Sequence, residues 1–283
     1  MVAITFADGY SSDIRSRWGH FAPVHPELNA ALEQGRPLYE QSLDEIARFR
    51  AFYHDVEHEA DPNTTEPCWD NIWFTALDAA ALVGFLLSRK PKRYLEIGSG
   101  YCTMFARYAI RSGNLKTTIS SIDPNPRADI NKLCDHVFRA NMEQFDPKLF
   151  QELEAGDILF FDGSHRIFSN TDVTVFFLEV LPRLKPGVLV HIHDIFLPAD
   201  YPPTWDGRLY SEQYLLAAML LCGSPPFRVV LPNYFVSIDA ALGTRVRELF
   251  KGTDGRRDIP YYYANDPLAP GASFWLETVP VAR

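Results

Sequence analysis

The chain has 283 residues, 47% hydrophobic and 22% charged, enough apolar material for a full core in one large domain or two small ones. Its net charge of −9 (27 Lys+Arg against 36 Asp+Glu) argues against a nucleic-acid partner or an anionic membrane surface, while leaving room for a local cationic pocket. The four cysteines, Cys68, Cys102, Cys134 and Cys222, form no CxxC pair, so neither a zinc ribbon nor a disulfide framework is expected. The start, "MVAITFADGYSSDIRSRW", has no basic segment followed by an apolar run, which predicts no secretory leader. The longest apolar run, "ALDAAALVGFLL", is about half a membrane span and is interrupted by Asp78. A reduced, cytoplasmic protein with no membrane partner is the expectation.

Residues 1–24 show no period and read as an irregular arm. From Pro26 to about His58 the pattern is helical, with Leu43, Ile46, Phe49 and Phe52 near helical spacing and Ser42 to Glu45 as a capping box. After the polar loop "EADPNTTEP", "NIWFTALDAAALVGFLLSRK" reads as a buried helix whose final Arg89 and Lys90 suit its C-terminal dipole. The chain then alternates. "RYLEIG" is a strand, "CTMFARYAIRSG" a helix, "TTISSID" a strand, "RADINKLCDHV" a helix and "HVFRAN" a short strand. "GDILFFDG" is a buried strand, "NTDVTVFFLEVLPRL" a helix, "GVLVHIHD" a strand, "SEQYLLAAMLLCG" a helix, "FRVVLPN" a strand and "ASFWLETV" a terminal strand. Strands of near-continuous apolar character alternating with helices predict an α/β fold: a Rossmann-like, doubly wound, mostly parallel sheet covered on both faces. Residues 239–270 break the rhythm as an irregular insertion.

In such sheets ligands bind beyond the carboxyl ends of the strands. "YLEIGSGYCT" sets Glu96, Gly98, Ser99, Gly100 and Tyr101 at a strand-to-helix turn, where glycines let the backbone approach a ligand and the helix offers free N–H groups. The third glycine of a dinucleotide motif would fall at Thr103, and Glu96 would repel a diphosphate but suit an ammonium or a water network. Asp123 ends the next strand, where its carboxylate can accept both hydroxyls of a ribose. A ligand with a ribose and an ammonium but no phosphates is implied, a description that S-adenosyl-L-methionine (SAM) meets. An NAD(P)-dependent oxidoreductase is the alternative, and a glycine turn without a ligand the plain one.

"YLEIGSG", "SSIDPNP", "GDILFFDGSH" and "LEVLPRLKPGVLVHIHDIF" resemble, in order over about Arg93 to Asn233, the motifs of class I SAM-dependent methyltransferases. "FWLE" would supply that fold's final, C-terminal antiparallel strand, giving seven strands. "LKPGVLVHIHDIFLP" is similar to a group of small-molecule methyltransferases. The resemblance implies that Gly98 and Gly100 flank the methionine part, that Asp123 binds the ribose and that residues near Asn141–Glu143 line the adenine. Asn71 and Trp73, in "DNIWF", would close over the cofactor from the N-terminal side; helix capping and packing explain them equally well. The expected division is an N-terminal arm and helical extension over residues 1–90, roofing the acceptor pocket and offering a homodimer interface, and a SAM-binding domain over residues 91–283.

Two strand ends bear on the methyl acceptor. "FFDGSHR" gives Asp162, Ser164, His165 and Arg166, and "HIHDIF" gives His193 and Asp194 on what should be the neighbouring strand. An HxHxD zinc hydrolase fails on spacing, because Asp194 follows His193 directly and no further His trails it. A metal-dependent O-methyltransferase of catechol type would put Asp162, His193 and Asp194 on a divalent cation such as magnesium, with His165 at the position of that family's lysine base. A metal-free site would use His165 and His193 as base, or as donors to an anionic acceptor, with Asp194 orienting an imidazole or Asp162 meeting the sulfonium. Polar strand ends bonded to backbone are the fourth reading, and His191, inside its strand, suits a satisfied core position. Tyr201, Trp205, Arg208, Tyr210 and Gln213 are expected to form a lid, and Arg256, Arg257 and Tyr261–Tyr263 an aromatic, basic surround for a small aromatic or acidic acceptor. The DPPY or NPPY motif of amino-group methylation is absent, which favours oxygen, hydroxyl or carboxylate, of a small molecule. A non-catalytic SAM-sensing domain would keep the cofactor site alone.

Overall fold

A computed structural model of the chain describes residues 2–5, 9, 11–126, 129–223, 225–253, 255–261 and 270–280. The first element is an antiparallel hairpin, β1 (Val2–Thr5) with β2 (Ser11–Ile14), in place of the expected irregular arm. Strands this short carry too few residues to display a period. The helical stretch that follows is three helices, α1 (Pro26–Glu33), α2 (Arg36–Ala47) and α3 (Arg50–His54). Ser42 is no capping residue: it lies mid-helix and buried, and its hydroxyl donates to the Val230 carbonyl at 3.0 Å. Helix α2 starts earlier, with Pro37 in its first turn, where the missing N–H costs nothing.

Helix α4 (Ala76–Arg89) is buried from Ala76 to Leu87. Its Asp78 carboxylate accepts from the Ala272 N–H at 3.0 Å, the Ser273 N–H at 2.8 Å and the Asn233 side-chain amide at 2.7 Å, pinning this helix to the far edge of the sheet. The strand–helix alternation then runs β3 (Arg93–Ile97), α5 (Tyr101–Ser112), β4 (Thr118–Ile122), β5 (His136–Phe138), β6 (Ile158–Phe161), α6 (Asp172–Val175), β7 (Leu189–Ile192), α7 (Glu212–Leu221), β8 (Phe227–Pro232), α8 (Asn233–Ile238), α9 (Ala240–Phe250) and β9 (Phe274–Thr278). The sheet has seven strands in the order β5-β4-β3-β6-β7-β9-β8. The β5–β4, β4–β3, β3–β6 and β6–β7 pairs are parallel, while β9 runs antiparallel between β7 and β8. This is the Rossmann-like, mostly parallel architecture expected from the sequence. Strands β6 and β7 are buried at every position, which is why their sequences read as unbroken apolar runs.

Three further elements differ from expectation. Of "RADINKLCDHV", Arg127 and Ala128 lie outside the described residues, and only Asn131–Leu133 forms a single 3-10 turn before β5. Asp135 explains the early return to the sheet: its carboxylate accepts from the Ile119 N–H at 2.7 Å and from Arg107 at 2.8 Å. Beyond α6 the helix widens into a π-helical turn, Phe176–Val180, and tightens into a 3-10 turn, Leu181–Arg183, around Pro182. Within 239–270, Ala240–Phe250 is a regular helix capped by Asp239, which accepts from the Ala241 and Leu242 N–H groups at 2.9 and 2.8 Å. No helix among the described residues is long and apolar enough to cross a membrane.

Candidate active site

The strand order reverses between β3 and β6, and a cleft of about 420 Å³ opens at their carboxyl ends. Gly98, Ser99, Asp123, Asn141, Met142, Glu143, Asp162, Ser164 and Asp172 are among its walls. Gly98 has φ +78°, and a Cβ there would sit 1.9 Å from the Asp162 carbonyl oxygen, so only glycine fits where the two strand ends touch. The Ser99 N–H donates to the Asp123 carboxylate at 2.8 Å, and the other Asp123 oxygen accepts from the Asn125 N–H at 2.7 Å. These bonds orient the Asp123 side chain and leave lone pairs on both oxygens. Ser164 is held by Asp172, whose carboxylate takes its N–H at 2.6 Å and its hydroxyl at 2.5 Å.

Glu96 lines neither this cleft nor the next. It is wholly buried beneath the turn and accepts from the Thr103 hydroxyl at 2.6 Å, and burial pushes its carboxyl up to about 7. Thr103, at the place of a dinucleotide motif's third glycine, also accepts from the Gly100 N–H at 3.1 Å, so Glu96 and Thr103 together shape the loop from below.

A smaller cleft, about 80 Å³, is lined by Trp73, Phe74, Ser99, Gly100, Tyr101, Cys102 and Asp162. Trp73 faces it, whereas Asn71 is spent on local backbone. The Asn71 amide oxygen accepts from the Trp73 and Phe74 N–H groups at 3.1 and 2.7 Å, and its NH₂ donates to the Cys68 carbonyl at 2.7 Å. Its role is the packing one.

Asp162, His165, His193 and Asp194 converge as expected. His165 Nε2 stands 3.2 Å from Asp162 Oδ1 and 3.6 Å from Asp194 Oδ2, and His193 Nε2 is 3.7 Å from Asp194 Oδ1. His165 and Asp194 have left-handed backbones, φ +61° and +57°, which turn their side chains back toward each other at the two strand ends. His165, His193 and Asp194 are each under a tenth exposed. The Asp162 side chain, 29% exposed, is the member that reaches both clefts. Donor atoms of Asp162, His165 and Asp194 all lie within 4.8 Å of one another, so the set able to hold a cation contains His165 where Asp162, His193 and Asp194 were expected. On the far side of His193 the cavity with Asp78, Phe196 and Trp205 is only about 10 Å³, too small for a metabolite.

Charge organises the cluster. Burial opposes an imidazolium at His165, but the carboxylates of Glu212, Asp162 and Asp194 outweigh it and hold its pKa well above the usual histidine value. Burial likewise opposes ionisation of Asp162, yet His193 and His165 keep its pKa below the usual carboxylate range. Asp194 is raised, since burial prevails over the same histidines. His191 belongs to the core: it stacks on Phe160 at 3.8 Å, pairs with the Ser273 hydroxyl at 2.7 Å, and burial drives it toward the neutral form.

Glu212 was not foreseen. It opens α7, is fully buried and pairs with His165 Nδ1. A glutamate at a helix start reads as a dipole partner, and the sequence offers no signal that separates this from a buried pair. Of the expected lid, Tyr210 stacks on the His165 ring at 4.3 Å and Arg208 covers Trp205 at 3.7 Å. Tyr201 packs against Phe196, and Gln213 is bonded to the Phe196 N–H and Ala199 carbonyl, so both are structural. Arg256 and Arg257 do not surround the site. They line a separate cleft with His54, Asp55 and Trp69, where Arg256 pairs with Asp55 at 3.2 Å. Tyr261 packs on Phe250, and Tyr262 and Tyr263 lie outside the described residues.

Residues 95–195, which run from β3 through the turn after β7 and carry Glu96 to Asp194, match the family model described as a methyltransferase domain. Over those residues the chain is similar to a methyltransferase domain. The resemblance to class I SAM-dependent methyltransferases is borne out over that segment. Among solved structures, an O-methyltransferase from Bacillus cereus in complex with SAH is 15% identical, with a TM-score of 0.37, covering 67% of this chain and 82% of its own. An SAH-bound methyltransferase from Podospora anserina is 18% identical, with a TM-score of 0.41, covering 77% of this chain and 96% of its own. No curated protein matches the chain.

Proposed function

We propose that the chain transfers a methyl group from SAM to a hydroxyl oxygen of a small-molecule metabolite. The observation that carries this reading is the position of Asp162, which lines both clefts and also touches His165. In the larger cleft, Asp123 would take the ribose hydroxyls and Asn141 to Glu143 the adenine. The Gly98–Tyr101 turn would take the methionine part. The residues fit the cofactor because Gly98 lets the turn lie flush against the Asp162 backbone, so that the turn, Asp123 and Asp162 line one cleft. When bound, SAM supplies a methyl group on a positively charged sulfur. An ionised Asp162 favours positive charge there.

A hydroxyl is favoured over a carboxylate acceptor. Asp162, Asp194 and Glu212 crowd His165 and would oppose an anion there, and Arg256 and Arg257 line another cleft, which leaves Arg208 as the cation that acts on Asp194. A hydroxyl must give up its proton as the methyl arrives, and His165 Nε2, bracketed by Asp162 and Asp194, is placed to take it. The approximation of Asp162, His165 and Asp194 donor atoms favours a second reading, in which these residues hold a divalent cation such as magnesium. Two carboxylates and one imidazole suit a hard or borderline ion, which would lower the acceptor's pKa. Residues 1–90 would roof the acceptor side of the 91–283 domain and offer the homodimer contact, in a cytoplasmic enzyme.

The test is an SAH-release screen over catechols, phenolic acids, sugars and hydroxyl-free carboxylic acids, run with EDTA and with added magnesium. Release with hydroxyl-bearing compounds is expected. Release with hydroxyl-free acids alone would overturn the choice of oxygen, and loss under EDTA restored by magnesium would select the cation reading.

A further inference from the structure

Glu212 is a fully buried carboxylate that the cofactor clefts do not use. One of its oxygens pairs with His165 Nδ1, and the other has no partner among the described residues. Burying a carboxylate is unfavourable unless a specific partner holds it, and here the partner is the imidazole that meets Asp162 and Asp194 through its other nitrogen. The grip extends beyond one bond. The His165 carbonyl accepts from the Ser211 N–H at 2.8 Å and the Glu212 N–H at 3.3 Å. The Ser211 hydroxyl accepts from the Ile167 N–H at 3.0 Å, and Tyr210 stacks on the ring. Three consecutive residues at the start of α7 thus fix the ring face, one ring nitrogen and the backbone of His165, whose left-handed φ of +61° needs such support.

We propose that Glu212 is a positioning residue for His165. By engaging the Nδ1–H it directs Nε2 to the space between Asp162 and Asp194, so that proton acceptance or cation binding occurs at that nitrogen. A carboxylate behind a working histidine fixes both tautomer and ring orientation. The placement stands on the geometry alone; its effect on turnover rests on the methyl-transfer reading.

Two variants and two readouts test it. Glu212→Gln keeps the volume and an acceptor oxygen, whereas Glu212→Ala removes the acceptor. Nitrogen-edited proton NMR of the full chain reads the Nδ1–H directly, as a downfield imidazole resonance identified by its loss in His165→Ala. The resonance is expected in the wild type, moved upfield in Glu212→Gln and absent in Glu212→Ala. SAH release should fall about tenfold in the first variant and about a hundredfold in the second, with SAH affinity unchanged. An unaltered resonance in both variants, or SAH affinity falling in step with turnover, overturns the proposal. Should no acceptor release SAH, the methyl-transfer reading fails while the resonance still decides the placement of Glu212.

Discussion

His165 lies among carboxylates on three separate elements: Asp162 at the end of β6, Asp194 beyond β7 and Glu212 on α7. Removing the imidazole should cost turnover far more than cofactor binding, because His165 lines neither of the two clefts. His165→Ala is therefore expected to lower SAH release about 10²- to 10⁴-fold, the range for loss of a general base, with SAH affinity retained. A fall of less than about tenfold would remove His165 from the chemistry. The direction of its pKa adds a pH signature. A base must be neutral to accept a proton, and the surrounding carboxylates hold this one charged beyond the usual value of 6.5. The rate, kcat/KM, should climb with rising pH through a midpoint above 6.5, and a midpoint below it would contradict the base assignment. Asp162, His165, His193 and Asp194 were legible because polar residues interrupt apolar strands where the chain leaves the sheet. Glu212 was not, since its meaning depends on a helix folding back onto a loop 47 positions earlier in sequence.

At the scale of elements, the apolar strands and their order along the chain were legible, and elements set by single polar contacts were not. Asp78 is the clearest case. In sequence it only interrupts an apolar run, yet in the fold it joins α4 to the start of β9 and to Asn233. Ser42 likewise looks like a cap and is instead a tie between α2 and β8. Asp78→Ala would strand two backbone N–H groups and an amide in the interior. At about 1–3 kcal/mol for each buried group left unsatisfied, a loss of about 3 kcal/mol or more is expected in urea unfolding. A loss below about 1 kcal/mol would show that the tie contributes little.

For the whole molecule, a net charge of −9 and carboxylates concentrated around the candidate site act in the same direction, favouring a cationic ligand over an anionic one. The cleft lies beyond the carboxyl ends of the strands, as the alternation of strands and helices predicted, and its walls combine Gly98, Asp123 and Asp162 from three neighbouring strand ends. What composition and periodicity could not convey is how closed the histidine cluster is, because closure depends on loops that carry no period. The central claim is that this cleft takes SAM rather than a dinucleotide. Isothermal titration of SAH, NAD and NADP into the wild-type chain, with Gly98→Ala as a control whose turn is displaced, tests it most directly. SAH should bind the wild type and bind the variant more weakly, because the added methyl would collide with the Asp162 carbonyl and push the turn out of place. Tighter binding of NAD or NADP than of SAH would contradict the account.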